Sequence, residues 1–223
     1  MNDLLATLAA NADEIGIALA ETGYMLAFSL AAAVLLGLPL GVLIFLTRPG
    51  GFLERRGLWR VGNLFVVVVR SFPFLLLVVF LIPLTRALYG TTFGTAAATF
   101  PLCFVGIALY ARLVEQILLE IPPGVLLAAR SMGADARQTV VHFLLVEGRS
   151  GLVYALTSAA ISLISYSTVL GIVGGGGIGD FALRFGYQEY DYPLMYSIIA
   201  IVIVCVLLLQ TVGERASRVL DKR

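Results

Sequence analysis

The sequence predicts an all-α membrane protein with five transmembrane helices. Of its 223 residues, 60% are hydrophobic and 13% are charged, whereas a soluble domain carries about 25% charged and 45–50% apolar residues. So little charge cannot cover a water-facing surface of this size, and the surface must hide in lipid or in partners. Apolar runs also recur at the length a helix needs to cross a hydrocarbon core of about 30 Å, roughly 20 residues. The runs are apolar on every face. They lack the alternation of strands in a closed barrel, the other architecture that satisfies backbone hydrogen bonds in lipid.

The first predicted span lies within residues 24–46, which hold no charge. The second, 61–85, is interrupted only by Arg70. Residues 87–111, 151–179 and 192–213 are charge-free and supply the third, fourth and fifth. The fourth run exceeds one span, so its glycine-rich end is expected to leave the bilayer. Residues 113–150 form the longest piece outside the membrane. A short helix is expected from Val125 to Met132, a break at Gly133, and a second helix over about 136–147.

Basic residues set the orientation. Arg48, Arg55, Arg56 and Arg60 follow span one; Arg130, Arg137 and Arg149 follow span three; Arg215, Arg218, Lys222 and Arg223 follow span five. Only Arg86 and Arg184 fall on the other side. This places the N-terminus outside and the C-terminus in the cytoplasm, as an odd number of spans requires. The expected division is an external segment 1–22, a membrane domain 23–213 with a cytoplasmic segment at about 119–150, and a tail 214–223. The start holds Asp3, Asp13, Glu14 and Glu21 rather than a basic stretch, so the first run reads as a retained span.

Several function classes fall away. A net charge of +1 gives no case for nucleic acid. Cys103 and Cys205 read as small buried residues without disulfide or ligand spacing. The single histidine, His142, has no partners for hydrolytic or metal chemistry. Gly174–Gly179 holds a formal G-x-G-x-x-G, but it ends a membrane span instead of joining a strand to a helix. No G-x-x-x-x-G-K-[ST] occurs, so any ATP-driven step belongs to another subunit.

Other features admit two readings. The short helix of the 113–150 segment is either a docking surface or a connector lying on headgroups. Arg70 either snorkels from its helix end or meets a partner. Arg112 and Glu115, at i and i+3, pair on one helix face or relay protons. The prolines Pro39, Pro73, Pro83 and Pro101 kink spans, and Ser158, Ser162, Ser165, Tyr166, Ser167 and Thr168 serve either packing or a pathway.

Ala128, Ala129, Arg130, Ser131, Met132, Gly133 and Ala134, with Leu144 and Leu145 further on, resemble the "EAA" loop of ABC-importer permeases. Leu127 stands where that loop has its acidic residue, and Val146 where it has a proline. Further islands are similar to bacterial methionine-importer permeases and occur in the same order: Gly37, Pro39 and Gly41 with 47–50; Arg70–Phe74; 82–86 with Gly90 and Thr91; 111–115; and 118–122. They extend over roughly residues 20–220.

The resemblance implies a type I ABC-importer permease moving methionine (D- and/or L-) or a related amino acid by alternating access. It implies a second copy of the chain, two cytoplasmic ATPase subunits and an extracytoplasmic methionine-binding (lipo)protein. Cofactors are expected to be none in this chain, with ATP and Mg on the ATPase. The implied coupling residues are Pro122, Leu127, Ala128, Ala129, Arg130, Met132, Gly133 and Ala134; the implied pathway or gate residues are Tyr166, Ser167 and Val169. The alternatives are the same machinery carrying another small solute, or a secondary transporter driven by an ion gradient. That last reading wants buried acidic residues, and the centres of the runs contain none.

Overall fold

A computed structural model of the chain describes residues 11–221. Among them all regular structure is helical. Among the described residues four helices are long and apolar enough to cross a bilayer, and a pair of shorter helices bent at 114° meets the same test when taken together.

Helix α1, Ala12–Thr47, is one rod with a wide π turn at Ala33–Gly37. The turn precedes Pro39, whose ring and missing N–H would clash with a regular ladder. Of the segment 1–22 expected outside, residues 1–10 lie outside the described residues, and the helix is already formed from Ala12. The 48–55 turn follows. Its Glu54 carboxylate accepts from Gly50 N–H at 3.0 Å and from Arg56 Nε at 2.9 Å. These two donors hold the Glu54 carboxyl below the usual carboxylate range.

The second predicted span is not one helix. α2, Arg56–Ser71, and α3, Phe74–Tyr89, meet at 114°. Phe72 is extended, as a residue before proline prefers, and Pro73 has no N–H to continue the α2 ladder. The third span shifts as a result. Residues near Ala87 still belong to α3, which stops at left-handed Gly90, and α4 runs from Thr95 to Glu120.

α4 is the central post. Ala108, Ala111 and Val114 are wholly buried along it. Small residues let neighbouring backbones come close in lipid, where helix association rests on packing. The α1 backbone at Gly41 lies so near that a Cβ there would sit 2.5 Å from the Ala111 carbonyl oxygen.

α5, Pro123–Ser131, is the expected short helix. The chain then forms one rod, α6: Ala136–Gln138, a π stretch Thr139–Leu144, and Leu145–Leu170. The second helix expected over about 136–147 forms and runs on without a break into the candidate span Arg149–Val173. A 3₁₀ turn at Gly171–Val173 and left-handed Gly174, Gly176 and Gly177 lead into α7, Gly177–Phe181, extended by a π segment Ala182–Gln188. α8, Tyr192–Leu220, is capped by Asp191 and packs on α6 and α7.

Contacts identify the two ends of the bundle. At one end Glu21 meets Gly177, and Gly94 N–H donates to Gly174 O. At the other, Glu120, Glu147 and Asp221 border one cavity, and Arg149 Nε donates to Leu220 O. These contacts put Glu21 of α1 and Leu220 of α8 at opposite ends of the bundle. The surface between is inside out relative to a soluble protein: Val61, Leu64, Leu76, Phe80, Leu208 and Val212 are all exposed. Cys103 is half-buried beside Ser29, but Cys205 faces outward from α8, contrary to the burial expected for it.

Candidate functional site

The short helix α5 at the end of the bundle is held between two chain reversals. α4 stops at Ile121, whose extended backbone suits the following Pro122, and Pro123 opens α5 where no N–H is needed. At the far end Gly133, at φ +69°, donates to Arg130 O, and Ala134 N–H donates to Ala129 O, both at 3.0 Å. That pair of bonds is a Schellman ending, and its left-handed residue favours glycine. Asp135 then starts α6 with a capping box: Gln138 N–H donates to Asp135 Oδ1 at 2.7 Å, while Asp135 N–H donates to Gln138 Oε1.

The two faces of α5 differ. Ala129 is 0% exposed, and Val125 and Leu126 pack on the core formed by Ile121, Leu118 and Leu144. Outward, Leu127 is 61% and Met132 74% exposed, with Ala128, Arg130, Gly133 and Pro122 exposed beside them and Ala134 half-buried. These large apolar side chains lie at the end of the bundle that also carries Arg48, Arg55, Arg56 and Arg137. His142 is exposed further along α6.

The second region is the middle and far part of α6. Tyr154 and Ser165 are exposed and Ser158 is half-buried between them at helical spacing, ending on exposed Ile172. Each hydroxyl is satisfied within the helix: Ser158 donates to Tyr154 O at 3.2 Å, Ser162 to Ser158 O at 3.0 Å, Ser165 to Ile161 O at 3.3 Å and Thr168 to Ser165 O at 2.7 Å. Back-bonding of this kind lets hydroxyls face a dry interface without an unmet donor.

The three residues singled out from sequence are separated by the fold. Tyr166 is half-buried with its ring 4.8 Å from that of Phe74 on α3. Ser167 is 2% exposed and donates to Ile164 O, pointing into the bundle. Val169 lines an apolar groove of about 380 Å³ with Thr168, Ile172, Gly179, Leu183 and Ile199, between α6, α7 and α8.

Two contacts were illegible in the sequence. Glu21 accepts from Gly177 N–H at 2.6 Å and Thr22 from Ile178 N–H at 2.9 Å, so α1 pins the glycine run from 156 residues away. Arg112 pairs with Glu115 at 2.6 Å, as the spacing allows, but its other nitrogen reaches Asn63 on α2 at 2.9 Å. The charges are thus committed to joining α4 and α2. Among the described residues no His, Cys, Asp and Glu group is arranged to hold a metal.

A family model described as "binding-protein-dependent transport system inner membrane component" matches residues 37–223. The chain belongs to this family. It is accordingly a multi-pass cell-membrane protein and a transport component. The chain is 40% identical to the probable D-methionine transport system permease protein MetI of Vibrio cholerae, over 100% of this chain and 99% of that one. A Pasteurella multocida protein of the same description is 38% identical over 94% and 96%. Among solved structures, an inward-facing conformation of the MetNI methionine ABC transporter superposes with a TM-score of 0.90 at 38% identity, over 93% of this chain and 96% of that chain.

Proposed function

We propose that this chain is the pore-forming permease subunit of an ATP-driven importer of methionine, in its D or L form or both. The full-length likeness to proteins described as D-methionine permeases carries the reading. Two copies would pair so that the α6 face with Ser158, Ser165 and Thr168 borders the pathway, with Tyr166 and Val169 at its edge. A zwitterionic amino acid cannot cross a tight apolar constriction without losing its water, so a closed gate needs only close packing.

Two ATPase subunits would grip residues 122–134 through Leu127, Ala128 and Met132, with Gly133 fixing the bend. Closure of those subunits on ATP would turn the lever, open the pathway outward to a docked binding protein, and return it on hydrolysis. Moving such an equilibrium from 1:99 to 99:1 needs about 5.5 kcal/mol of differential interaction, which an ATPase partner can supply. The end carrying Arg48, Arg55, Arg56, Arg130, Arg137 and Arg149 would face the cytoplasm, placing the Glu21–Gly177 contact outside.

Uptake tests this reading: vesicles holding the chain, the ATPase encoded beside it and the cognate binding protein, supplied with labelled D-methionine, L-methionine and other amino acids. Methionine uptake that depends on ATP supports it. Uptake of another solute alone would reassign the cargo, and uptake without ATP, driven by an ion gradient, would overturn the mechanism.

A further inference from the structure

The end of the bundle where α1 stops holds a cavity of about 270 Å³ between the 48–55 turn and α5. Phe45, Arg48, Gly51, Phe52, Leu127 and Arg130 are in its wall. The Arg48 guanidinium stands 4.3 Å from the centre of the Phe45 ring, and that of Arg130 stands 5.0 Å from the centre of Phe52. Both cations therefore border the same space.

Among the described residues neither guanidinium pairs with a carboxylate. Arg48 Nη1 is buried and has no hydrogen-bond partner, a costly state for a charged donor. The acid nearest in sequence, Glu54, is engaged by Gly50 N–H and Arg56. Leu127 also lines this cavity, so its wall beside the two arginines is apolar.

The level of the cavity narrows the class of anion. Arg48 is the first charge after the run 24–46, which puts it at the depth of headgroups. Guanidinium groups match the oxygens of a phosphate with paired donors, and the Phe45, Phe52, Leu126 and Leu127 walls accept an adjoining hydrocarbon edge. We propose that Arg48 and Arg130 bind a phosphate group here, with an anionic phospholipid headgroup as its source in the membrane. The bound phosphate ties α5 to the end of α1, so that lipid composition bears on the lever whatever solute the chain carries.

The test uses the full-length chain, stripped of lipid in an uncharged detergent, with thermal unfolding followed during titration. The probes are dioleoylphosphatidylglycerol, dioleoylphosphatidylcholine, and inorganic phosphate against chloride at equal ionic strength. Phosphatidylglycerol should stabilise at concentrations where phosphatidylcholine does not. R48A and R130A should each weaken that effect by about tenfold or more.

Leu127 is exposed enough to be changed without unfolding the chain. L127E, which supplies an internal carboxylate, should abolish the effect, while the neutral L127Q keeps it. Stabilisation by inorganic phosphate matching that by lipid would identify free phosphate as an occupant of the same site. The proposal is overturned if L127E and L127Q behave alike or if neither phosphate source outperforms its control. It is equally overturned if R48A loosens only a co-purifying ATPase, since the cations would then serve a protein carboxylate.

Discussion

Gly133→Val isolates the bend in the lever from everything else in the chain. A Cβ at position 133 would meet nothing within 4 Å, so the substitution costs no packing. What it does meet is the backbone: φ is +69°, and a left-handed conformation costs an L residue about 1–2 kcal/mol. A β-branched side chain belongs at the top of that range. Asparagine, which tolerates the conformation, should cost least. Since about 1.4 kcal/mol is a tenfold change in an equilibrium, valine should deplete the bent ending by roughly that factor and loosen the bonds to Arg130 O and Ala129 O.

The assay is the number of methionine molecules imported per ATP hydrolysed, in vesicles containing the partner subunits. The ratio should fall in the order Gly, Asn, Ala, Val, with the amount of inserted protein unchanged. A valine variant with the wild-type ratio would show that the bend does not carry force.

Four further outcomes follow from the same geometry. Arg112→Ala or Glu115→Ala each leaves a mostly buried charge unpaired and should cost about 3 kcal/mol, read as a lower thermal midpoint in detergent; Arg112→Met with Glu115→Leu should recover most of it, and failure to recover would assign the pair a role beyond packing. Glu21→Ala removes a charge-assisted bond worth about 1.5–3 kcal/mol and should speed amide exchange at Gly177 and Ile178; unchanged protection would mean that Thr22 alone holds the glycine run. In a background with Cys103 and Cys205 replaced, Ser165→Cys should react with a water-soluble maleimide and Ser167→Cys should not, and equal labelling would refute the assignment of faces. Finally, because the Glu54 carboxyl is held low in the folded turn, its stabilising effect is complete above the ordinary glutamate range and disappears as pH falls through its depressed value. Protection of the Gly50 amide, taken relative to its intrinsic exchange rate at each pH, should therefore be lost only as pH falls below the ordinary glutamate range, and its loss near neutral pH would contradict the contact.

The short helix α5 and the bend after it were largely legible from sequence because their signals are local. Prolines at 122 and 123, a glycine at 133 and an Asp-to-Gln spacing of three each dictate backbone conformation within a few residues. The face of α6 was harder to read. Helical spacing gathers Tyr154, Ser158 and Ser165 on one side, but an apolar stretch gives no contrast to say which side is buried. Ser167 was therefore grouped with its neighbours, although it turns inward. The break at Phe72–Pro73 was hidden for a similar reason: proline is tolerated in membrane helices, so its presence does not announce a bend as sharp as 114°.

Sequence alone determined that this protein lives in lipid, that it is helical, and where the chain bends after α5. These follow from hydrophobicity, from the need to satisfy backbone hydrogen bonds, and from residues acting on their own neighbours. Only the tertiary structure decided that Glu21 pins a glycine run 156 residues away, that Arg112 joins two helices, and that Arg48 and Arg130 border one cavity. Such contacts depend on how close-packed rods are rotated and stacked, and nothing local in the chain encodes that.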